Sequence, residues 1–270
     1  MKKHISLSNL MSLKPALRKH DVNTVCESAR CPNIGECFAA KQATFLIAGT
    51  ICTRGCAFCA IEAGVPAPLD NDEPRRVAEM INRLGLSYAV ITSVTRDDLP
   101  DGGAMHFCET VAAVRAKNPN TKIEILVPDF QGNWFAARDS FSCRPDVYSH
   151  NLETVPRLYE AVRIGADYNR SRELLNRAKR TGLKTKSGIM LGLGETMDEV
   201  RQVMRDLRTV HCEILTLGQY MAPSTGKYKV VREVSAQDFD SLKEEALSLG
   251  FAACASAPYV RSSYLASALV

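Results

Sequence analysis

Short apolar runs rich in β-branched residues alternate along this chain with longer stretches whose apolar positions recur at helical spacing. The runs at 43–48, 88–93, 122–127, 146–149, 185–191 and 213–217 read as strands. The stretches near 73–84, 104–117, 154–163, 171–181, 196–210 and 236–249 read as amphipathic helices. Asp72 and Pro74 open the first helix and Gly85 closes it, while Thr196 and Ser235 are good caps for the last two. Six βα units in this order imply a parallel sheet curled as a full or partial barrel, with working groups gathered at the C-terminal ends of its strands.

A length of 270 residues suits one such barrel with a full core. The net charge of +4 is mild, and the lysines and arginines are dispersed rather than striped with aromatics, so nucleic acid is not implied. Behind the basic start Met1–Ser6 there is no apolar stretch of signal-peptide length, and no later run reaches membrane-spanning length. Ten cysteines without an export signal predict a reducing, cytoplasmic setting and no membrane partner.

Six of those ten cysteines lie between residues 26 and 59, too unevenly for a disulfide framework spread over a secreted domain. Cys52, Cys56 and Cys59 form a C-x3-C-x2-C run directly after the first predicted strand. A closed zinc or iron–sulfur site takes four protein ligands, so a compact set of three leaves one metal position open for a substrate or cofactor. The same offsets could line one face of a helix as a buried stripe; Gly55 and the strand-like 43–48 favour a loop leaving a strand instead. The upstream set Cys26, Cys31 and Cys37 has spacings that fit neither period, and Pro32 and Gly35 predict turns, so it reads as a loop around a metal, with disulfide pairing between the two sets as the alternative. Cys108, Cys143, Cys212 and Cys254 read as packing residues.

Three loops at later strand ends carry polar and glycine-rich signals. Asp101-Gly102-Gly103 follows the second strand, and paired glycines let backbone approach a ligand. Asn151 and Glu153 follow the fourth, with Asn151 or Thr154 alternatively capping the next helix. Gly188, Gly192 and Glu195 lie at or just beyond the end of the fifth. Each alone is an ordinary turn; together on one face they suggest a ligand site.

The three-cysteine loop resembles the signature of radical S-adenosylmethionine (SAM) enzymes, and residues 188–195 resemble that superfamily's nucleoside-contacting segment. Asn23-Thr-Val-Cys26-Glu-Ser-Ala-Arg-Cys31-Pro-Asn-Ile-Gly-Glu-Cys37, Arg96-Asp-Asp-Leu-Pro-Asp-Gly-Gly, His150-Asn-Leu-Glu-Thr-Val-Pro, Lys186-Ser-Gly-Ile-Met-Leu-Gly-Leu-Gly-Glu-Thr, Leu215-Thr-Leu-Gly-Gln-Tyr and Arg261-Ser-Ser-Tyr264 resemble, in order, the lipoyl synthase family. The resemblance spans residues 23 to 264. Phe38 stands where that family commonly has tryptophan, Ala257 where it commonly has glycine, and the segment before the upstream cysteines is shorter than usual.

The resemblance implies insertion of two sulfur atoms, at C6 and C8, into an octanoyl chain on a lysine of a lipoyl carrier domain. It implies a 4Fe–4S cluster on Cys52, Cys56 and Cys59 that binds SAM and cleaves it reductively, releasing a radical suited to unactivated methylene hydrogens. It implies an auxiliary 4Fe–4S cluster on Cys26, Cys31 and Cys37, consumed as sulfur source, with Ser263 as fourth ligand. From the residues alone that fourth position stays open, because Cys254 is softer and serines more often cap turns. Implied SAM contacts are Asp101, Gly102, Gly103, Asn151, Glu153, Gly188, Gly192 and Glu195. Implied partners are an octanoylated carrier and an electron donor such as a ferredoxin or flavodoxin. The implied fold is a partial (β/α)6 TIM-like barrel over residues 43–225, with an N-terminal extension (1–42) holding the auxiliary loop and a C-terminal helix and tail (226–270) closing its mouth. The alternatives are a biotin-synthase-like sulfur inserter and a non-enzymatic iron–sulfur carrier or structural zinc protein.

Overall fold

The computed structural model describes Pro15, residues 17–29 and residues 31–270; the basic start Met1–Ser6 and Arg30 of the upstream cysteine segment lie outside the described residues. Two compact units divide them, each built of parallel strands and covering helices.

The first unit comprises the chain to Thr53, residues 61–146 and residues 263–268. It contains β1 (Asn23–Thr24), α1 (Val25–Ser28), α2 (Ile34–Ala39), β2 (Gln42–Ile47), β3 (Ile51–Cys52), β4 (Glu62–Ala63), α3 (Glu73–Leu84), β5 (Tyr88–Ser93), α4 (Ala104–Lys117), β6 (Lys122–Leu126) and α5 (Trp134–Ser142). β2, β5 and β6 run parallel in register, with Gln42 beside Tyr88 and Tyr88 beside Lys122, and β1 adds an antiparallel edge. Their side chains are buried on both faces (Phe45 with Leu46, Ala89 with Val90, Ile123 with Glu124), as in strands covered by crossover helices. α3 turns Val77, Ala78, Met80 and Ile81 inward and ends on Gly85 at φ +58°, where a Cβ is unfavourable.

The second unit comprises residues 54–60, 147–262 and 269–270. It contains β7 (Val147–Ser149), α6 (Tyr159–Val162), α7 (Tyr168–Arg180), β8 (Thr185–Leu191), α8 (Met197–Thr209), β9 (Ile214–Gln219), α9 (Ala236–Ser248) and β10 (Ala253–Ser256). β7 to β10 run parallel in chain order. Leu191, Val203, Leu207, Leu217, Phe239 and Leu242 meet in one core cluster. The Thr196 and Glu199 side chains form a reciprocal capping box at the start of α8, and Ser235 accepts from the Asp238 amide to start α9.

The six expected strands appear as β2, β5, β6, β7, β8 and β9. Three expectations are corrected. The segment around Cys26 and Cys37 is two short helices joined by a turn at Pro32, so the turn expected at Gly35 is replaced by helix: Thr24 accepts from the Glu27 amide to open α1, and Gly35 is buried inside α2. The helix expected at 154–163 is broken into a 3-10 turn at Pro156–Leu158 and a short α6, and neither Asn151 nor Thr154 caps it. α5 and β10 were not expected. Residues 53–59 are non-helical, so the three-cysteine run is a loop.

Candidate active site

In the first unit the three-cysteine loop leaves β2 over a buried polar bracket. Ala48 and Gly49 take φ of +64° and +98°, turning the chain sharply out of the strand. Glu73, in the first turn of α3, accepts the Ala48 N–H at 2.7 Å, and its same oxygen meets His106 Nε2 at 2.7 Å. Arg96, only 2 % exposed, donates to the Ala48 carbonyl at 3.1 Å while its other nitrogens grip the Asp98 carboxylate at 2.9 and 2.8 Å. Past this bracket the loop is stitched to the segment after β5. Thr53 donates N–H and hydroxyl to the Thr95 carbonyl at 3.0 and 2.9 Å, Thr53 Oγ accepts the Asp97 N–H at 3.1 Å, and Cys52 Sγ accepts the Thr95 N–H at 3.3 Å.

In the second unit Cys56 and Cys59 share a turn closed by the Cys59 N–H to Cys56 carbonyl bond at 3.1 Å. Ala57 anchors that turn, donating to the Val162 carbonyl at 2.9 Å and accepting from the Tyr228 N–H at 3.0 Å. Phe58 packs on the core cluster.

The glycine-rich loops are constrained by their own contacts. Asp101 accepts the Gly103 and Met105 amides at 2.9 and 3.0 Å, opening α4. Gly102 and Gly103 take φ of +59° and +85°, and a Cβ on Gly102 meets Phe130 Cδ1 at 3.0 Å. Glu153, at φ +64°, bridges to Ile189 as an extra rung beside β8. Burial pushes its carboxyl above the usual range, opposed by Arg163 and by the Asn151 amide, which donates to it at 3.0 Å. Asn151 Oδ1 in turn accepts from the Ser262 hydroxyl at 3.1 Å. A Cβ on Gly188 meets Thr216 Oγ1 at 2.6 Å and Asn151 Oδ1 at 3.0 Å, so only glycine fits there. Beyond β8, Glu195 spends both carboxylate oxygens on the Gly192 and Leu193 amides, at 2.7 and 2.9 Å, and the Gln219 side chain closes on Gly192. Glu195 therefore sets the shape of this loop from beneath, and its effect on a ligand runs through that shape.

The upstream cysteines and Ser263 belong to the first unit. Cys26 and Cys37 are buried, and burial pushes the Cys26 thiol up to about 12, opposed by hydrogen bonds with Thr44 and reinforced by Cys31 and Cys37 nearby. A thiol held protonated by burial and by neighbouring sulfurs, as Cys26 is, suits a site where a cation takes the proton's place. The tail is tied to α2 and to the start of β2: Tyr264 donates to Glu36 Oε1 at 2.8 Å and the Ser267 amide donates to Gln42 Oε1 at 3.0 Å, which lays the residue after Ser263 against the residue before Cys37. Cys254, the softer candidate, is buried in the second unit's core cluster with its thiol raised to about 12 by burial. All ten cysteines are thiols, and among the described residues no three His, Cys, Asp or Glu side chains stand in metal-closing geometry. The thiol-only donor sets at 26/31/37 and 52/56/59 nonetheless have the chemistry iron–sulfur clusters take.

Glu73, Arg96, Asp98 and His106 had no role assigned from the sequence. Arg96 and Asp98 sit in a quoted motif, whereas Glu73 looks like an ordinary first-turn acid and His106 carries no signal.

A model of the radical SAM superfamily matches residues 46–207. The chain is 52% identical to a lipoyl synthase of Caldanaerobacter subterraneus subsp. tengcongensis, covering 98% of this chain and 93% of that one. It is 52% identical to a lipoyl synthase of Klebsiella pneumoniae over 95% of this chain and 81% of that one. Among solved structures it resembles methylornithine synthase, with a TM-score of 0.58, 14% identity and coverage of 91% and 82%. It also resembles Streptococcus suis SuiB bound to S-adenosylmethionine, with a TM-score of 0.59, 12% identity and coverage of 90% and 52%. At such identities the structures speak to the fold alone, which is the partial barrel expected.

Proposed function

This chain belongs to the lipoyl synthase family of the radical SAM superfamily, and on that premise we propose which of its residues serve the insertion of sulfur at C6 and C8 of a carrier-bound octanoyl chain. Its cofactors are two 4Fe–4S clusters and SAM. When bound, these supply one electron, a carbon-centred radical from SAM, and the sulfur that is inserted.

Cys52, Cys56 and Cys59 hold the SAM-binding cluster, and the Glu73–Arg96 bracket fixes where their loop leaves β2. The Thr95 amide gives Cys52 sulfur a stabilising donor. Asp101, Gly102 and Gly103 on one loop and Asn151, Glu153, Gly188 and Gly192 on the others bind SAM, with Asn151 and Glu153 as its polar contacts and Glu195 acting through the shape of the loop it holds. Removing a hydrogen from an unactivated methylene needs no base, so the half-buried Glu153 serves as an anchor for the polar end of SAM rather than as a proton acceptor.

Cys26, Cys31, Cys37 and Ser263 hold the auxiliary cluster. The single observation that carries this reading is the Tyr264–Glu36 hydrogen bond, which holds the Ser263 segment on the helix bearing Cys37. A hard serine oxygen among thiolates makes a weaker fourth ligand, apt for a cluster that must come apart.

The substrate is an octanoylated carrier domain, and the electron donor is a small redox protein of the ferredoxin or flavodoxin type. No helix among the described residues is long and apolar enough to cross a membrane. We infer a reducing cytoplasmic setting, a reading supported by ten cysteines, all of them free thiols. The test is anaerobic incubation of the reconstituted protein with an octanoyl-lysyl peptide, SAM and dithionite. Mass spectrometry should show two sulfur atoms added per peptide; SAM consumption without sulfur addition overturns the reading.

A further inference from the structure

Cys108 and Cys143 lie outside both cysteine triplets and face one turn of one helix. Cys108 is in α4 and Cys143 follows α5 directly; both are half-buried. Cys108 Sγ donates to the Asp139 carbonyl at 3.2 Å and Cys143 Sγ to the Ser140 carbonyl at 3.0 Å, so adjacent carbonyls of α5 collect the two sulfurs. The two side chains also lie close enough to influence each other. When the Cys143 S–H turns from the Ser140 carbonyl to the Cys108 sulfur, the Cys108 thiol is drawn down to about 7 against the effect of burial, with Ser142 and the Cys143 amide assisting. Cys143 is raised by the same contact and by burial, while Arg115 nearby acts the other way. Cys108 is thus the more readily ionised of the two thiols and Cys143 its proton-holding neighbour, the division of labour that thiol–disulfide exchange uses.

We propose that Cys108 and Cys143 form an exchange-active dithiol that closes to a disulfide on reaction with a small-molecule disulfide of the glutathione class. The Cys108 thiolate attacks one sulfur of the reagent, forming a mixed disulfide and releasing one thiolate. Cys143 then gives up its proton, and its sulfur attacks Cys108 Sγ, breaking the mixed bond and releasing the second thiolate. Two protein S–H bonds and one reagent S–S bond become one protein S–S bond and two reagent thiols, and the protein loses two electrons to the reagent. The product staples α4, whose first turn follows the Asp101–Gly103 loop, to α5.

The test treats anaerobic, cluster-loaded protein with oxidised glutathione at pH 7.5, then quenches in acid, alkylates and maps peptides by mass. The expected product joins the Cys108 and Cys143 peptides with loss of two hydrogens. Cys143→Ser should trap glutathione on Cys108, forming at least about tenfold faster than any adduct at Cys212 or Cys254. Cys108→Ser should abolish the joined species. A wild-type protein that keeps glutathione on Cys108 beside an alkylated Cys143, or a Cys108 no faster than Cys254, overturns the proposal. The readout is a peptide mass, independent of sulfur insertion.

Discussion

The Tyr264 hydroxyl donates to Glu36 at 2.8 Å across 228 residues of chain, and this bond holds the tail on α2, the helix that carries Cys37. The bond is exposed, so its own contribution is small, on the order of 1 kcal/mol. Its value is positional. Ser263→Ala should abolish sulfur addition while SAM cleavage continues, and Tyr264→Phe should lower sulfur addition severalfold through the same segment. Full two-sulfur turnover by Ser263→Ala sinks the ligand assignment.

The two cysteine sets should separate by product. Cys52→Ala, Cys56→Ala or Cys59→Ala should eliminate 5′-deoxyadenosine, measured by liquid chromatography after dithionite reduction. Cys26→Ala, Cys31→Ala or Cys37→Ala should leave deoxyadenosine and remove the sulfur product. If all six variants keep deoxyadenosine, the roles are wrongly divided.

Gly188 tests the SAM loops. Its Cβ lies 2.6 Å from Thr216 Oγ1, so Gly188→Ala must displace Thr216 or Asn151. Equilibrium dialysis should show SAM affinity reduced about tenfold or more, a loss of roughly 1.4 kcal/mol. Adding Thr216→Ala should restore part of it. Unchanged affinity in the single variant counts against Asn151 as a contact.

The buried bracket predicts a defect of assembly. Glu73→Leu leaves the Ala48 N–H and His106 without their buried acceptor, a cost of about 1–3 kcal/mol for each unsatisfied group. The variant should reconstitute less iron on the Cys52 set, read as a weaker low-field resonance of the reduced, SAM-bound cluster. Unaltered spectra at equal iron content show the bracket to be dispensable.

The Arg157 guanidinium beside Glu199, with the Thr196 amide, holds the Glu199 carboxyl down to about 2, and Arg157 also donates to the Gly194 carbonyl. A depressed acid stabilises the fold above its unfolded-state value of 4.5, and that stability is lost as pH falls toward about 2. Urea midpoints of the cluster-free protein should fall between pH 5 and about 3. Glu199→Gln should flatten part of that fall, and an identical slope in the variant refutes the coupling.

The sequence is legible where signals are local. Gly85 ends α3 and Thr196 starts α8 as expected, because the capping group and the capped amide lie within a few residues. α2 was misread because Gly35 signals a turn, yet it is buried inside a helix whose context overrides a propensity cost of about 1 kcal/mol. α5 was missed because Phe135 is 74% exposed and spoils the apolar stripe, although Asn133 caps it well. The cysteine triplets could be read as contiguous strings. The bracket could not, since Glu73 reaches Ala48 across 25 residues, His106 reaches Glu73 across 33 and Arg96 reaches Ala48 across 48. Such pairings exist only once β2 and β5 have found their register.

The fold-back of residues 263–268 onto the first unit also sets a schedule. The ribosome releases Glu36 long before Tyr264; at about 5–20 residues per second, the gap of 228 residues lasts roughly 11 to 46 s. Through that interval the upstream cysteines wait without the serine segment that completes their surroundings. On the proposed assignment, the auxiliary cluster gains its fourth ligand only after Ser263 has emerged, and a chain stalled before Ser263 leaves the upstream thiols without it.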